Sequence, residues 1–280
     1  MNTQKIPCII CVSENDLQYL FEFSLKSCLK NLDFLTELFV ITPNTELATK
    51  LISEKILPLN IAIHLIKDDE FLSKNEIQMC GWSKQQILKL RSNEISNADN
   101  FLSVGSDTII LNKLLLNKFY SPANIISHYR IHEKGSKHLD FEVNRVKCIY
   151  DLLEINSSKL PEIARDFIFD IFLFNSKILV ELKNYLTKKF GVNYTLRIFP
   201  FRVGGYFDTG RIGEWTMYTI FAIEMLKFPI VFQDGSLFLH QIHTQRELKE
   251  YNYVNEAVHF VRKDFNKEFI ISELKKHNFL

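Results

Sequence analysis

Apolar and polar positions follow two alternating rhythms through the first third of the chain. Residues 6–12, IPCIICV, form an unbroken apolar run that stops at Ser13-Glu14-Asn15-Asp16, and LQYLFEFSLKSCLKNL (17–32) then carries apolar residues at helical spacing. Ser13 or Asp16 is placed to cap that helix. ELFVITPN (37–44) predicts a second strand, ELATKLISEKIL a second helix, and IAIHLIKDD (61–69) a third strand. A β-α-β-α-β series is the mark of a parallel, doubly wound sheet.

GWSKQQILKLRSNEIS (81–96) predicts a helix with Ile87, Leu88, Leu90 and Ile95 turned inward, feeding a strand FLSVGSD (101–107). Ligands of open α/β sheets bind beyond the carboxyl ends of the strands, so Glu14 to Asp16 and Asp107 are expected to line one crevice. Past residue 115 the alternation lapses. NIISHYRIHEKGSKHLDFEVNRV (124–146) predicts a surface excursion that opens on a strand, and 166–190 an aromatic run with a helical second half. GEWTMYTIFAIEMLKF (213–228) predicts a helix, PIVFQDGSLFLHQIH (229–243) two short strands about Asp234-Gly235, and 254–277 a final amphipathic helix.

Composition narrows the function classes. With 280 residues and 46% hydrophobic content the chain can bury one large core, and one domain over 1–280 is the natural expectation. Lys plus Arg number 34 against 33 Asp plus Glu, which leaves no long-range field to draw nucleic acid. The five cysteines, at 8, 11, 28, 80 and 148, lack the spacing of a zinc site or a disulfide framework. Cys8 and Cys11 point to opposite faces if 6–12 is a strand, as buried thiols of a reducing compartment would. The amino terminus is too short in apolar residues for a signal peptide and no run reaches a membrane span, so a cytoplasmic protein is expected. G-x-G-x-x-G, G-x-x-x-x-G-K-[ST] and G-x-S-x-G are missing, against a dinucleotide oxidoreductase, a P-loop enzyme or a serine hydrolase.

Four features stand in fixed order: an acidic loop after the first strand, a helix opening Gly81-Trp82-x-x-Gln85-Gln86, a strand leading to Asp107, and a helix opening Gly213-Glu214-Trp215. In that order, over about residues 6–245, the chain resembles bacterial GT-A-type glycosyltransferases, especially the sugar transferases encoded with capsule and lipopolysaccharide genes. Relatives of that kind have G-W-Y-x-Q-Q-x-x-K-L and then Asp-x-Asp; here Gly105-Ser106-Asp107 stands in its place, with Gly105 for the first aspartate.

The resemblance implies a GT-A-like (Rossmann-like) α/β fold: a mixed, mainly parallel sheet flanked by helices with a helical C-terminal part. Its nucleotide-binding half would span 1–115, its acceptor and catalytic half 116–250, and its amphipathic helix 251–280. It implies a nucleotide-sugar donor whose departing diphosphate needs Mn²⁺ or Mg²⁺ on carboxylates, or Arg, Lys and amide donors instead. Asp107 is the candidate metal ligand, with His240 chosen over His243 as its partner, and the loss of the first aspartate puts metal dependence in doubt. Gln85 and Lys89, four apart, share a helix face, and with Gln86, Ser106, Trp82, Glu14 and Asp16 they are candidate donor contacts. The alternatives for these positions are a solvated helix face, an inward tryptophan and a plain N-cap.

Glu214 is the candidate catalytic base, although an acidic residue in a first turn also stabilises its helix. Arg202 precedes a glycine-rich loop (203–213) that could close on a diphosphate, and Asp208 and Arg211 lie within it. The acceptor implied is a glycan or a lipid-linked glycan of a surface polysaccharide. Peripheral contact of the basic C-terminal helix with the inner membrane, a dimer interface and simple coverage of the sheet all remain open for that segment. Two further readings stay beside the leading one: a metal-independent transfer from a CMP-activated sugar, and a catalytically silent sugar-binding or scaffold protein.

Overall fold

An apolar run without alternation needs cover on both faces, and 6–12 has it: Cys8, Ile9 and Ile10 are wholly inaccessible. The computed structural model describes residues 5–56, 61–121, 124–131, 137–156, 165–167, 170–199, 212–236, 238–252, 254–260, 266–277 and 279. In chain order, β1 (Ile6–Cys11), α1 (Glu14–Tyr19), α2 (Phe21–Asn31), β2 (Leu35–Thr42), α3 (Thr45–Lys55) and β3 (Ala62–Lys67) come first. Then α4 (Lys74–Ile77), α5 (Gly81–Leu90) and α6 (Ser92–Ile95) lead to β4 (Asn100–Val104) and β5 (Thr108–Ile110). There follow β6 (Tyr120–Ser121), β7 (Asn124–Tyr129), α7 (Lys137–Leu152), β8 (Ile171–Asn175), α8 (Ser176–Phe190), α9 (Tyr194–Ile198) and α10 (Glu214–Ile220). The last elements are β9 (Ile230–Asp234), β10 (Leu239–Ile242), α11 (Gln245–Glu250), β11 (Ala257–Phe260) and α12 (Lys267–Lys276).

These elements form two compact units. The first holds Met1–Asp68, Leu102–Lys118 and Gly235–Leu280; the second holds Asp69–Phe101 and Phe119–Asp234. In the first unit, β3, β2, β1 and β4 lie side by side in that order, and all three pairings are parallel. Because β2 follows β1 on one side while β4 joins β1 on the other, the winding reverses between β1 and β4. A smaller sheet, β10-β11-β5, is built by the C-terminal segment: β10 and β11 run parallel, and β11 pairs antiparallel with β5. Under it Leu20, Ile109, Ile242, Leu248, Val258, Phe260, Ile270 and Leu274 form one buried cluster.

In the second unit β6-β7-β9 form a sheet of their own. The first residues of β4 belong here, where Phe101 stacks on Phe174 of β8 with centroids 5.7 Å apart. Asn175 closes β8 and opens α8: its Oδ1 accepts from Ile178 N, its Nδ2 donates to Asn100 Oδ1 at 2.9 Å, and its N–H donates to the Tyr218 hydroxyl at 2.8 Å. α8 buries Ile178, Leu179, Leu182 and Leu186, one stripe at helical spacing. Glu76 ties three helices: it accepts from Ser73 N to close a capping box on α4, takes both terminal nitrogens of Arg91 at 3.0 and 2.8 Å, and accepts from Thr195 of α9.

The mixed, mainly parallel sheet flanked by helices agrees with the expected fold class, and several local expectations need correction. The strand expected over 101–107 stops at Val104, so Asp107 lies in the turn before β5. The helix expected over 81–96 breaks at Arg91, whose side chain is drawn to Glu76. The surface excursion of 124–146 ends inside a sixteen-residue helix, α7, that runs on to Leu152. The single helix expected over 254–277 is a strand and a helix, because AVHF pairs with β5 and β10. The two strands about Asp234-Gly235 exist but do not form a hairpin: β9 pairs with β7, and β10 with β11.

Candidate functional site

The carboxyl ends of β1 and β4 flank the reversal of winding, the place where open α/β sheets open a crevice. Beyond β1, Ser13 caps α1 and its hydroxyl also donates to Asp16 Oδ2 at 2.7 Å. Ser106 Oγ, from the turn after β4, reaches the same Asp16 oxygen at 3.4 Å. Ser24 Oγ donates to the Gly105 carbonyl at 2.9 Å, which fastens this turn to α2. Asp16 and Ser106, two of the expected donor contacts, therefore meet, and Asp16 is buried by the contact. Glu14 is exposed at the start of α1 and accepts from Asn44 Nδ2.

Asp107 follows in the same turn. Its carbonyl accepts from Phe260 N at 3.1 Å, and its Oδ1 lies 3.4 Å from Nδ1 of His259. The Thr108 hydroxyl stands 3.3 Å from that same ring nitrogen, and Thr108 and His259 are register partners across β5 and β11. Asp107 and His259 keep 21% and 13% of their side-chain surface open, so neither is sealed from solvent. The histidine beside Asp107 is thus His259, not His240. His240 pairs with Val258, one step out of phase, so its ring points to the other face of the small sheet and stacks on Tyr251 at 4.8 Å. His243 lies past the end of β10, its N–H donating to Glu247. His259 escaped the sequence reading because AVHFV was taken into a helix; the two β-branched valines and the phenylalanine in that short run were its one signal.

In the second unit the GWSKQQ helix meets α10. Gly213 offers α10 no side-chain cap, and Gln86 Oε1 supplies one by accepting from Glu214 N at 3.1 Å. Lys89, one turn on, places Nζ 3.0 Å from Glu214 Oε1 and 3.8 Å from the centroid of the Trp215 ring. The Glu214 side chain is 0% exposed. Burial pushes its carboxyl above the usual range, Lys89 draws it back, and the Asp170 carboxylate pushes it up again. Gln86 and Lys89, rather than Gln85 and Lys89, form the inward pair, and a solvated face is excluded for both of them by their burial. Gln85 is half-buried. Trp82, also half-buried, lies edge-on to Phe199 with centroids 6.4 Å apart. Arg202, Asp208 and Arg211 lie outside the described residues.

Among the described residues no cluster of three or more His, Cys, Asp or Glu side chains could hold a metal. Asp107 and His259 provide one oxygen and one nitrogen donor, a set that suits Mn²⁺ when a ligand's diphosphate oxygens complete the shell. No described helix is long and apolar enough to cross a membrane.

A family model described as a family of unknown function, DUF6492, matches residues 15–263. No curated protein matches the chain. Among solved structures it is similar to mouse xyloside xylosyltransferase 1 in its apo form, at a TM-score of 0.54 and 12% identity over 94% of this chain and 99% of that one. The likeness shows a shared fold, the GT-A-like α/β arrangement.

Proposed function

The chain belongs to the DUF6492 family, and because that family is of unknown function we propose a role from its own residues: transfer of a sugar from a nucleotide-sugar donor to a glycan or lipid-linked acceptor in bacterial surface polysaccharide synthesis. The observation that carries this reading is the Asp107–His259 pair, partly open beyond the strand ends of a GT-A-like fold. When such a bond breaks, charge gathers on the leaving diphosphate, and the groups that face it must be cationic or must hold a cation. A Mn²⁺ or Mg²⁺ held by Asp107 and His259 would supply that charge as a Lewis acid. Asp16 and Ser106, joined at 3.4 Å, fix the turn that carries Asp107 and face it toward the end of β1.

We assign Glu214 a positioning role. A carboxylate without exposed surface and 3.0 Å from Lys89 holds α5 against α10 instead of receiving the acceptor's proton. Glu214→Gln should then keep turnover within about tenfold of the parent, whereas loss of a general base costs roughly a hundredfold or more.

A thermal-shift screen against UDP-, GDP- and CMP-sugars, with Mn²⁺ or with EDTA, tests the proposal. One donor should raise the melting temperature and release its nucleotide when an acceptor is added. Neither binding nor hydrolysis with any donor would end it. The departure at Gly105 favours a specific second reading, metal-independent transfer from a CMP-sugar, in which protonated His259 meets the phosphate directly. Turnover undiminished in EDTA selects that reading, and binding without turnover selects a silent sugar-binding protein.

A further inference from the structure

The first unit carries a second concavity, built from α2 and α12. Along α2, Phe23, Lys26 and Lys30 recur three and four residues apart; along α12, Lys267, Ile271 and Lys275 recur four apart. Each set is therefore one stripe of its helix, and the two stripes line a groove of about 450 Å³ with Glu22, Ser27 and Phe279. The groove holds four lysines against one glutamate. A chain whose net charge is only +1 has no general surplus of lysine to scatter, so this is local concentration of charge.

Its floor is apolar and fixed. Ile270 and Leu274 anchor α12 in the core, with Ile271 and Phe279 packed against that cluster while keeping part of their surface open. Lys267 Nζ donates to the Gln18 carbonyl at 3.0 Å and lies 5.5 Å from the Phe23 ring, and Lys26 pairs with Glu22 at 2.7 Å. These contacts hold two ammonium groups at the groove, and Lys30 and Lys275 are exposed on its two helices.

We propose that this groove is a docking surface for an anionic phospholipid bilayer. Exposed lysines bordering half-buried Ile271 and Phe279 match headgroup phosphates lying over the start of acyl chains, and each lysine near an anionic surface adds an attraction that salt weakens. Nucleic acid fits less well, because neither helix offers an exposed aromatic row for bases and the whole-chain field is close to neutral. The inference is independent of sugar transfer, since sedimentation reports it without any donor or acceptor.

The test is co-sedimentation of the full chain with vesicles of phosphatidylcholine alone and of equal parts phosphatidylcholine and phosphatidylglycerol. Binding should appear with the mixed vesicles only and fall as salt rises. The double variant Lys30→Gln, Lys275→Gln should keep its melting temperature and lose about fivefold in partitioning for each lysine removed. Ile271→Asn should weaken the binding that remains at high salt. No binding by the parent chain, equal binding to neutral vesicles, or unchanged binding by the double variant would each overturn the proposal. Binding to single-stranded RNA without binding to vesicles would overturn it too and give the groove to nucleic acid.

Discussion

Single side chains decide the chemistry here through what lies within hydrogen-bond reach. The turn after β4 leaves the Asp107 carboxylate partly open beside His259, and in the proposed transfer that carboxylate would hold the cation that meets the leaving phosphate. Asp107→Asn keeps the shape of the turn and removes the charge, so turnover should drop roughly a hundredfold or more with little change in melting temperature. Glu142 shows the opposite use of a carboxylate. It is buried with Arg145, whose Nη1 donates to both its oxygens at 2.7 and 2.8 Å. Burial first, and then the nearby Asp166 carboxylate, push its carboxyl up from 4.5 to about 8 despite Arg145. A carboxyl with a raised folded value binds its proton more tightly folded than unfolded. Its stabilising contribution is complete below 4.5 and is lost as pH rises to about 8. Urea unfolding across that window should show stability falling with pH, and Glu142→Gln should remove that part of the slope.

At the scale of elements, short helices depend on their caps and on the charges that bridge them. α4 has four residues and α9 five, too few to persist by propensity, and Glu76 supplies the common anchor. Burial would raise the Glu76 carboxyl, but hydrogen bonds from Thr195 and Ser73 and the charge of Arg91 outweigh it and hold the value below the ordinary range. A depressed value means stability present above 4.5 and lost as pH falls through the folded value. Glu76→Ala would strand Arg91, cost about 3–5 kcal/mol, and be read as a lowered urea midpoint with unchanged slope. The pair formed by α5 and α10 was legible as sequence, GWSKQQ and GEW, yet its meaning was not. Periodicity assigns residues to faces of one helix and is silent on which helix lies opposite.

Over the whole molecule, the first unit is assembled from three separate stretches of chain, and the last of them carries β11 and α12. Ending the chain at Glu256 would remove Val258, Phe260, Ile270 and Leu274 from the core and uncover the edge of β5. At roughly 1.5–3 kcal/mol for each buried side chain, that loss is comparable to the whole stability of a domain. The truncated protein should therefore be insoluble or lack a cooperative unfolding transition, checked by expression and calorimetry.

Local pattern was enough to determine the β-α-β-α-β opening, the cap at Ser13, the buried cysteines of β1 and the strand-end location of Asp107's segment. Each of these follows from the period of apolar residues or from a side chain acting on its own neighbours in sequence. Tertiary structure alone decided that His259 rather than His240 stands beside Asp107. A strand's register sets which of two adjacent residues faces a given partner, and Thr108 and His259 are 151 positions apart. It also decided that Lys89, which the sequence offers as a donor contact or as part of a solvated helix face, is a buried cation beside Glu214 and Trp215. Burial depends on what packs from elsewhere in the chain, and that information is carried by no single stretch of it.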